Sequence, residues 1–334
     1  MTLFCIFYAL IVFWGLISGE KPHVFTKERT LWLRAVLPFL VILGHVSLMT
    51  GIIPEDFDQT GMFAVGIFFF ISGYGLELKR HKSTSIMGVR QLPQRLRSLL
   101  LPLIVPIVVY CVVLYACSEF DWQALVLSFK NYELILPFTW FVIVLAVFYV
   151  AFYTISSVVT NGYKFLITIT LVVVLLSLIN LMLFREHAYT NFSNLAFPAG
   201  VFYAMSEKNI LDYCCGMRGR LVITACAVFL VIMLAVRYHL PNILIPIEVL
   251  LFTLLVVLLF SVIPLRSYRM VRFFSDISYE VYLCQGITFC LIGRSPDGRP
   301  LGIFLLMVFA LSTIFAVFCH YLTQLVVKRL YNNK

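Results

Sequence analysis

The chain has 334 residues, of which 62% are hydrophobic and 12% charged. A soluble domain carries about twice that charge fraction, so a water-solvated fold is excluded and a polytopic membrane protein is expected. The net charge of +9 is expected on cytoplasmic loops rather than against nucleic acid, and the unbroken apolar runs exclude a β-barrel, whose strands alternate.

In chain order, the first apolar run covers 2–18. Lys21, Lys27 and Arg29 follow it, which favours a retained helix with its N-terminus outside over a cleaved signal peptide. Further spans are expected at about 31–50, 63–79, 99–117, 138–157, 165–184, 193–206, 220–237, 243–263, 277–293 and 301–326. The run at 193–206 is short for a span and contains Pro198 and Gly200. The expected fold is therefore all-α: an integral-membrane bundle of about eleven transmembrane helices. Residues 1–30 form an N-terminal helix with a cytoplasmic linker, and 31–334 form the main transmembrane domain.

The loops give the orientation. Segment 79–98 holds Lys79, Arg80, Lys82, Arg90, Arg95 and Arg97, which places it in the cytoplasm. Alternation puts 19–29, 158–164, 207–219, 264–276 and the C-terminal tail on the same side. Of the 25 Lys and Arg residues, Lys130, Arg185, Arg237, Arg294 and Arg299 are left outside. Most of the nine cysteines fall inside apolar runs and read as small packing residues. No metal-ligand spacing, Walker loop or GxSxG elbow is present, so neither a metal site nor an ATP-driven pump is expected.

Chemistry concentrates in residues 32–49, WLRAVLPFLVILGHVSLM. Arg34 and His45 are eleven residues apart, about three helical turns, so both lie on one face with a rise of about 16 Å between them. Pro38 removes a backbone bond to Arg34 and is expected to bend the helix. Gly44 permits a close approach beside His45. His45 reads either as a hydrogen-bond partner between helices or as a general base. Arg34 reads either as a membrane-surface anchor or as a binder of an anionic cofactor entering from the cytoplasm.

Beyond this stretch, Ser72, Gly73, Tyr74 and Gly75 suit tight helix contact around a pocket. Glu77 is expected to pair with Arg34 or Arg95. Arg95 and Arg97 are topology signals or phosphate binders. Trp140 and Phe141 belong to an interfacial aromatic belt or face a sugar or acyl chain. In the segment opening at Ser278, Tyr279 and Tyr282 flank Glu280, whose expected partner is one of the inner arginines. Glu248 is a candidate to orient His45. His23, His81, His187, His239 and His320 read as loop or boundary residues.

Taken in order, these residues resemble the membrane-bound acyltransferase family 3, which includes many bacterial O-acetyltransferases of surface glycans. The resemblance rests on Arg34 with His45, on Phe68 to Tyr74 followed by Arg95, Arg97 and Pro102, on Trp140-Phe141, and on Ser278 to Leu283. It implies a ten-helix core, to which the 2–18 helix is additional, in a bacterial inner membrane. It also implies a cytoplasmic acyl-CoA donor, in the first instance acetyl-CoA, and an acceptor hydroxyl on a saccharide or lipid-linked glycan reached from the other side. His45 matches the family's catalytic histidine and Arg34 its partner. Arg95, Arg97, Ser72 and Tyr74 join Arg34 as candidates to bind the donor, and Trp140, Tyr279, Tyr282 and Glu248 are the candidates to bind the acceptor. The chain departs from some members near Gly66, where they carry an acidic residue, and from many at Val142 to Val147 and at Gln285, where a Glu pair and a histidine stand. The alternative is a transporter or flippase for a lipid-linked saccharide or anionic metabolite, which the polar residues in the spans suit equally. Assembly into a homo-oligomer is left open.

Overall fold

The computed structural model describes residues 25–51, 57–82, 88–131, 133–235, 242–262, 266 and 268–332. The expected helix at 2–18 lies outside the described residues, as do His23, Arg237 and His239. Among the described residues there is no strand, only helix and short connections. The helices are α1 (Lys27–Thr50), α2 (Thr60–Lys82), α3 (Leu92–Leu100), α4 (Ile104–Ala116), α5 (Trp122–Ser128), α6 (Trp140–Val158), α7 (Gly162–Leu183), α8 (Ala196–Cys215), α9 (Met217–Ala235), α10 (Ile245–Val262), α11 (Arg269–Asp276), α12 (Ser278–Ile292) and α13 (Leu301–Asn332).

Among the described residues, eight helical stretches are long and apolar enough to cross a membrane, so the chain is a polytopic helical membrane protein. Two further expected spans form as helices outside that group. At 15 residues, α12 is about 22 Å long, short of a hydrocarbon core of about 30 Å. The second half of α8 carries Glu207, Lys208 and Asp212, so only its first half is apolar. Helix α1 runs unbroken across Pro38.

The chain divides into two compact units. One comprises the described residues within 25–33, 62–82 and 155–271; the other comprises those within 34–61, 88–154 and 272–332. In a bilayer, helices gain little from hiding apolar surface, so close packing and hydrogen bonds hold them. The first unit shows both. A Cβ on Gly73 would lie 2.2 Å from the Phe197 carbonyl oxygen, and one on Gly200 would lie 2.1 Å from that of Phe70. Helices α2 and α8 therefore touch backbone to backbone, which explains the glycine that interrupts the 193–206 run. Nearby, the Glu207 carboxylate accepts from the Phe25 amide at 2.6 Å and from the Tyr74 hydroxyl at 2.9 Å. Fully buried Glu77 takes two bonds of 2.8 Å from Arg80 on its own helix, in place of the more distant arginines expected for it. The Arg80 guanidinium then lies 4.3 Å from the Phe165 ring centre.

In the second unit, the C-terminal half of α1 packs with α12 and α13 around Ile42, Val46, Val281, Phe289, Phe304 and Val308. Glu280 is buried, and its partner is His320, whose Nδ1 lies 2.8 Å from the carboxylate. An inner arginine was expected there, and His320 was expected at a boundary. Helix α13 continues to Asn332 and carries His320 alongside α12, forty residues from its partner.

Candidate active site

Helix α1 sets His45 on a rigid element, and Gly44 explains how close its surroundings come. A Cβ at Gly44 would lie 2.8 Å from the Gly61 amide nitrogen. The start of α2 therefore seats directly against α1, and Thr60 donates its hydroxyl towards the carbonyls of Leu40 and Phe57, at 2.9 and 2.7 Å. The close approach expected at Gly44 is thus present and is made by backbone.

The His45 ring has two defined contacts. Its Nδ1 is 2.7 Å from Gln285 Oε1 on α12. An amide oxygen only accepts, so Nδ1 carries a proton, and in the neutral ring Nε2 keeps its lone pair. One ring face stacks on Phe138, with centres 4.1 Å apart and planes 22° from parallel. Gln285 is fully buried, and its Nε2 has no hydrogen-bond partner among the described residues.

Phe138 is held by its backbone. It has a φ of 68°, a region that non-glycine residues rarely adopt. Its amide donates to Glu133 Oε1 at 2.9 Å, and its carbonyl accepts from the Tyr282 hydroxyl. Tyr282 also meets the Phe141 ring edge-on, at 5.6 Å between centres. Pro137, one residue earlier, needs the missing side chain of Gly286, where a Cβ would lie 2.9 Å from the proline ring. Phe138 also walls a cavity of about 370 Å³ lined by Tyr110, Glu119, Asp121, Glu133 and Arg294 among others. A neighbouring cavity shares that wall and adds Gly286, Phe289 and Cys290.

Towards the other end of α1, the half-buried Arg34 has a buried Nε without a hydrogen-bond partner among the described residues. Asp276, the last residue of α11, is the carboxylate that acts on it electrostatically. Arg95 donates from Nη2 to the Tyr149 hydroxyl at 2.8 Å, and its charge lies 4.6 Å from that ring's centre, yet its buried Nε is also unpartnered. Tyr279 donates to the Leu99 carbonyl at 2.9 Å, tying α12 to the end of α3.

The remaining expected site residues divide. Arg34, His45, Arg95, Arg97, Trp140, Tyr279 and Tyr282 all belong to the second unit. Arg97 is exposed, and Trp140 is half-buried at the start of α6. Ser72, Tyr74 and Glu248 belong to the first unit. There the Tyr74 hydroxyl serves Glu207 and the Phe25 carbonyl, and Glu248 is buried in the first turn of α10. Gln285 and Phe138 were not among the expected residues. A glutamine in an apolar helix needs a partner, which was a usable signal; nothing in the sequence marks the backbone of Phe138. Among the described residues no group of His, Cys, Asp and Glu could hold a metal ion.

The family described as an acyltransferase domain, acyltransferase family 3, matches residues 32–323. No curated protein and no solved structure matches the chain.

Proposed function

The chain belongs to acyltransferase family 3 and is a membrane acyltransferase, and on that premise we propose that it moves an acetyl group from cytoplasmic acetyl-CoA to a hydroxyl of a saccharide or lipid-linked glycan. The observation that carries the reading is the His45 ring. Its Nδ1–H is committed to Gln285 Oε1, which leaves Nε2 as a base in a part of the membrane where an imidazole is costly to keep.

In the proposed reaction, Nε2 takes the proton of the acceptor hydroxyl as the oxygen attacks the thioester carbonyl. The carbon–sulfur bond breaks, and the proton leaves with the CoA sulfur. The products are an acetate ester and CoA. The donor's phosphates need cationic donors, and the Nε atoms of Arg34 and Arg95, which have no partner among the described residues, suit them. A buried N–H without an acceptor costs about 1–3 kcal/mol, which a bound phosphate oxygen would recover. Residues 31–334 constitute the acyltransferase domain in this proposal. It sits in a bacterial inner membrane with the C-terminus in the cytoplasm.

The test is acetyl transfer by purified protein in lipid nanodiscs, with labelled acetyl-CoA and cell-surface glycan as acceptor. Wild type is expected to label the glycan. His45→Ala is expected to lose about 10²–10⁴-fold in rate while still folding, its unfolding midpoint lowered by no more than the loss of one buried hydrogen bond, about 1–3 kcal/mol. Full transfer by that variant, or movement of glycan across the bilayer without covalent change, refutes the proposal.

A further inference from the structure

Resting on the acyl-transfer reading, we infer that the cavity walled by Phe138 is the acceptor subsite, and that it takes an uncharged sugar ring rather than an acidic or phosphorylated one. Three observations converge on it. First, Phe138 is common to the cavity and to the proposed base: its ring stacks on His45 and it lines the cavity. Second, Gly286 lines the adjoining cavity and follows Gln285, whose amide holds His45 and whose Nε2 is a buried donor without a partner among the described residues. Third, the size and lining suit a small polar ring. At about 370 Å³, the cavity falls in the range of roughly 300–1,000 Å³ typical of small-molecule sites.

The lining decides the class. Among the described lining residues, Glu119, Asp121 and Glu133 set three carboxylates against the single guanidinium of Arg294, with the Tyr110 hydroxyl among them. Carboxylates accept from sugar hydroxyls and repel a uronate or phosphate, so the same groups attract one class and exclude the other. Phe138 and Pro137 supply an apolar wall for the C–H face of the ring. Glu119, Asp121 and Arg294 are exposed at their positions, so the cavity communicates with the surface. Lys130 and Arg294 lie on the side that the proposed topology places outside, opposite the donor. Helix α5 stops at Ser128, and the chain between it and α6 turns back through Ile135 and Phe138, both with positive φ. That turn is what carries Glu133, Pro137 and Phe138 to the cavity.

Cys290 gives a readout independent of catalysis. It lines the adjoining cavity, and its thiol lies 3.6 Å from a Glu119 carboxylate oxygen. Its alkylation by iodoacetamide can be followed by peptide mass spectrometry on the full-length protein in nanodiscs. Uncharged methyl hexosides are expected to slow that alkylation about tenfold at saturation, and the matching methyl uronates and hexose phosphates are not. Glu119→Lys should reverse the preference, the acidic sugars now protecting. In acetyl-transfer assays, Tyr110→Phe and Glu119→Gln should raise the acceptor KM about tenfold, the cost of one well-made hydrogen bond, and leave the acetyl-CoA KM in place. The inference is overturned if acidic and neutral sugars protect Cys290 equally, or if neither protects while wild type still acetylates the glycan. Protection by hexosides without acetyl transfer would instead overturn the acyl-transfer reading, and with it the acceptor role, leaving a sugar-binding site.

Discussion

Replacing Gln285 with leucine isolates the hydrogen bond on which the proposed base depends. Leucine matches the apolar surroundings and removes the oxygen 2.7 Å from His45 Nδ1. It also removes the unpartnered Nε2, so the unfolding midpoint should change little. Activity should change more. The Nδ1–H left without an acceptor is worth about 1–3 kcal/mol, and if the ring or its tautomer shifts to recover that, the full amount is lost from the transition state. At 1.36 kcal/mol per decade this is about a 5- to 150-fold fall in kcat. Gln285→Glu keeps an acceptor facing Nδ1 and should restore most of the rate. The assay is acetyl transfer at saturating donor and acceptor, with both KM values measured. A double variant sharpens it: Gln285 acts through His45, so adding Gln285→Leu to His45→Ala should cost nothing further. Wild-type kcat in Gln285→Leu, or losses that add in the double variant, would refute the positioning argument.

Other outcomes follow from the same geometry. Arg34→Ala and Arg95→Ala should each raise the acetyl-CoA KM about 10- to 100-fold, the range for a hydrogen bond to a charged group; unchanged donor KM in both removes their assigned role. Arg34→Lys should not restore donor affinity, because an ammonium lacks the planar fork. Gly200→Ala places a methyl 2.1 Å from the Phe70 carbonyl oxygen and should destabilise the protein by about 1–3 kcal/mol or more, seen as a lower unfolding midpoint in detergent; an unchanged midpoint would contradict the backbone crossing. His320→Ala deprives buried Glu280 of its 2.8 Å partner and should lower the midpoint by an amount equivalent to about 1–3 kcal/mol, with His320→Gln recovering part of it.

Much of the helical plan was legible because hydropathy is a property of neighbouring residues. The α1 register was legible for the same reason: the eleven-residue interval between Arg34 and His45 reads directly as shared helical phase. Gly44 also announced a close contact, which the Gly61 backbone makes. Partners were harder. Glu77 needed a cation, and the nearest choice by helical spacing, Arg80, is the one it takes; the expectation of a remote arginine overlooked the local pair. Glu280 also needed a partner, but His320 is forty residues away, and nothing in spacing separates it from other candidates. Tyr74 shows the converse. An aromatic hydroxyl beside small residues suggests a pocket, yet Glu207 and the Phe25 carbonyl occupy it.

What the amino-acid order alone determined is the class of the protein and the placing of a guanidinium and an imidazole on one face of one helix. Both follow from contiguous residues obeying the helical period and the solvent preference of lipid. Only the tertiary structure decided which atoms surround the imidazole. Gln285 arrives from 240 residues away, and Phe138 reaches the ring through a backbone turn with positive φ that no residue type in the segment announces. Contacts of that kind depend on how helices pack, and packing is set by every interface at once rather than by any one stretch of chain.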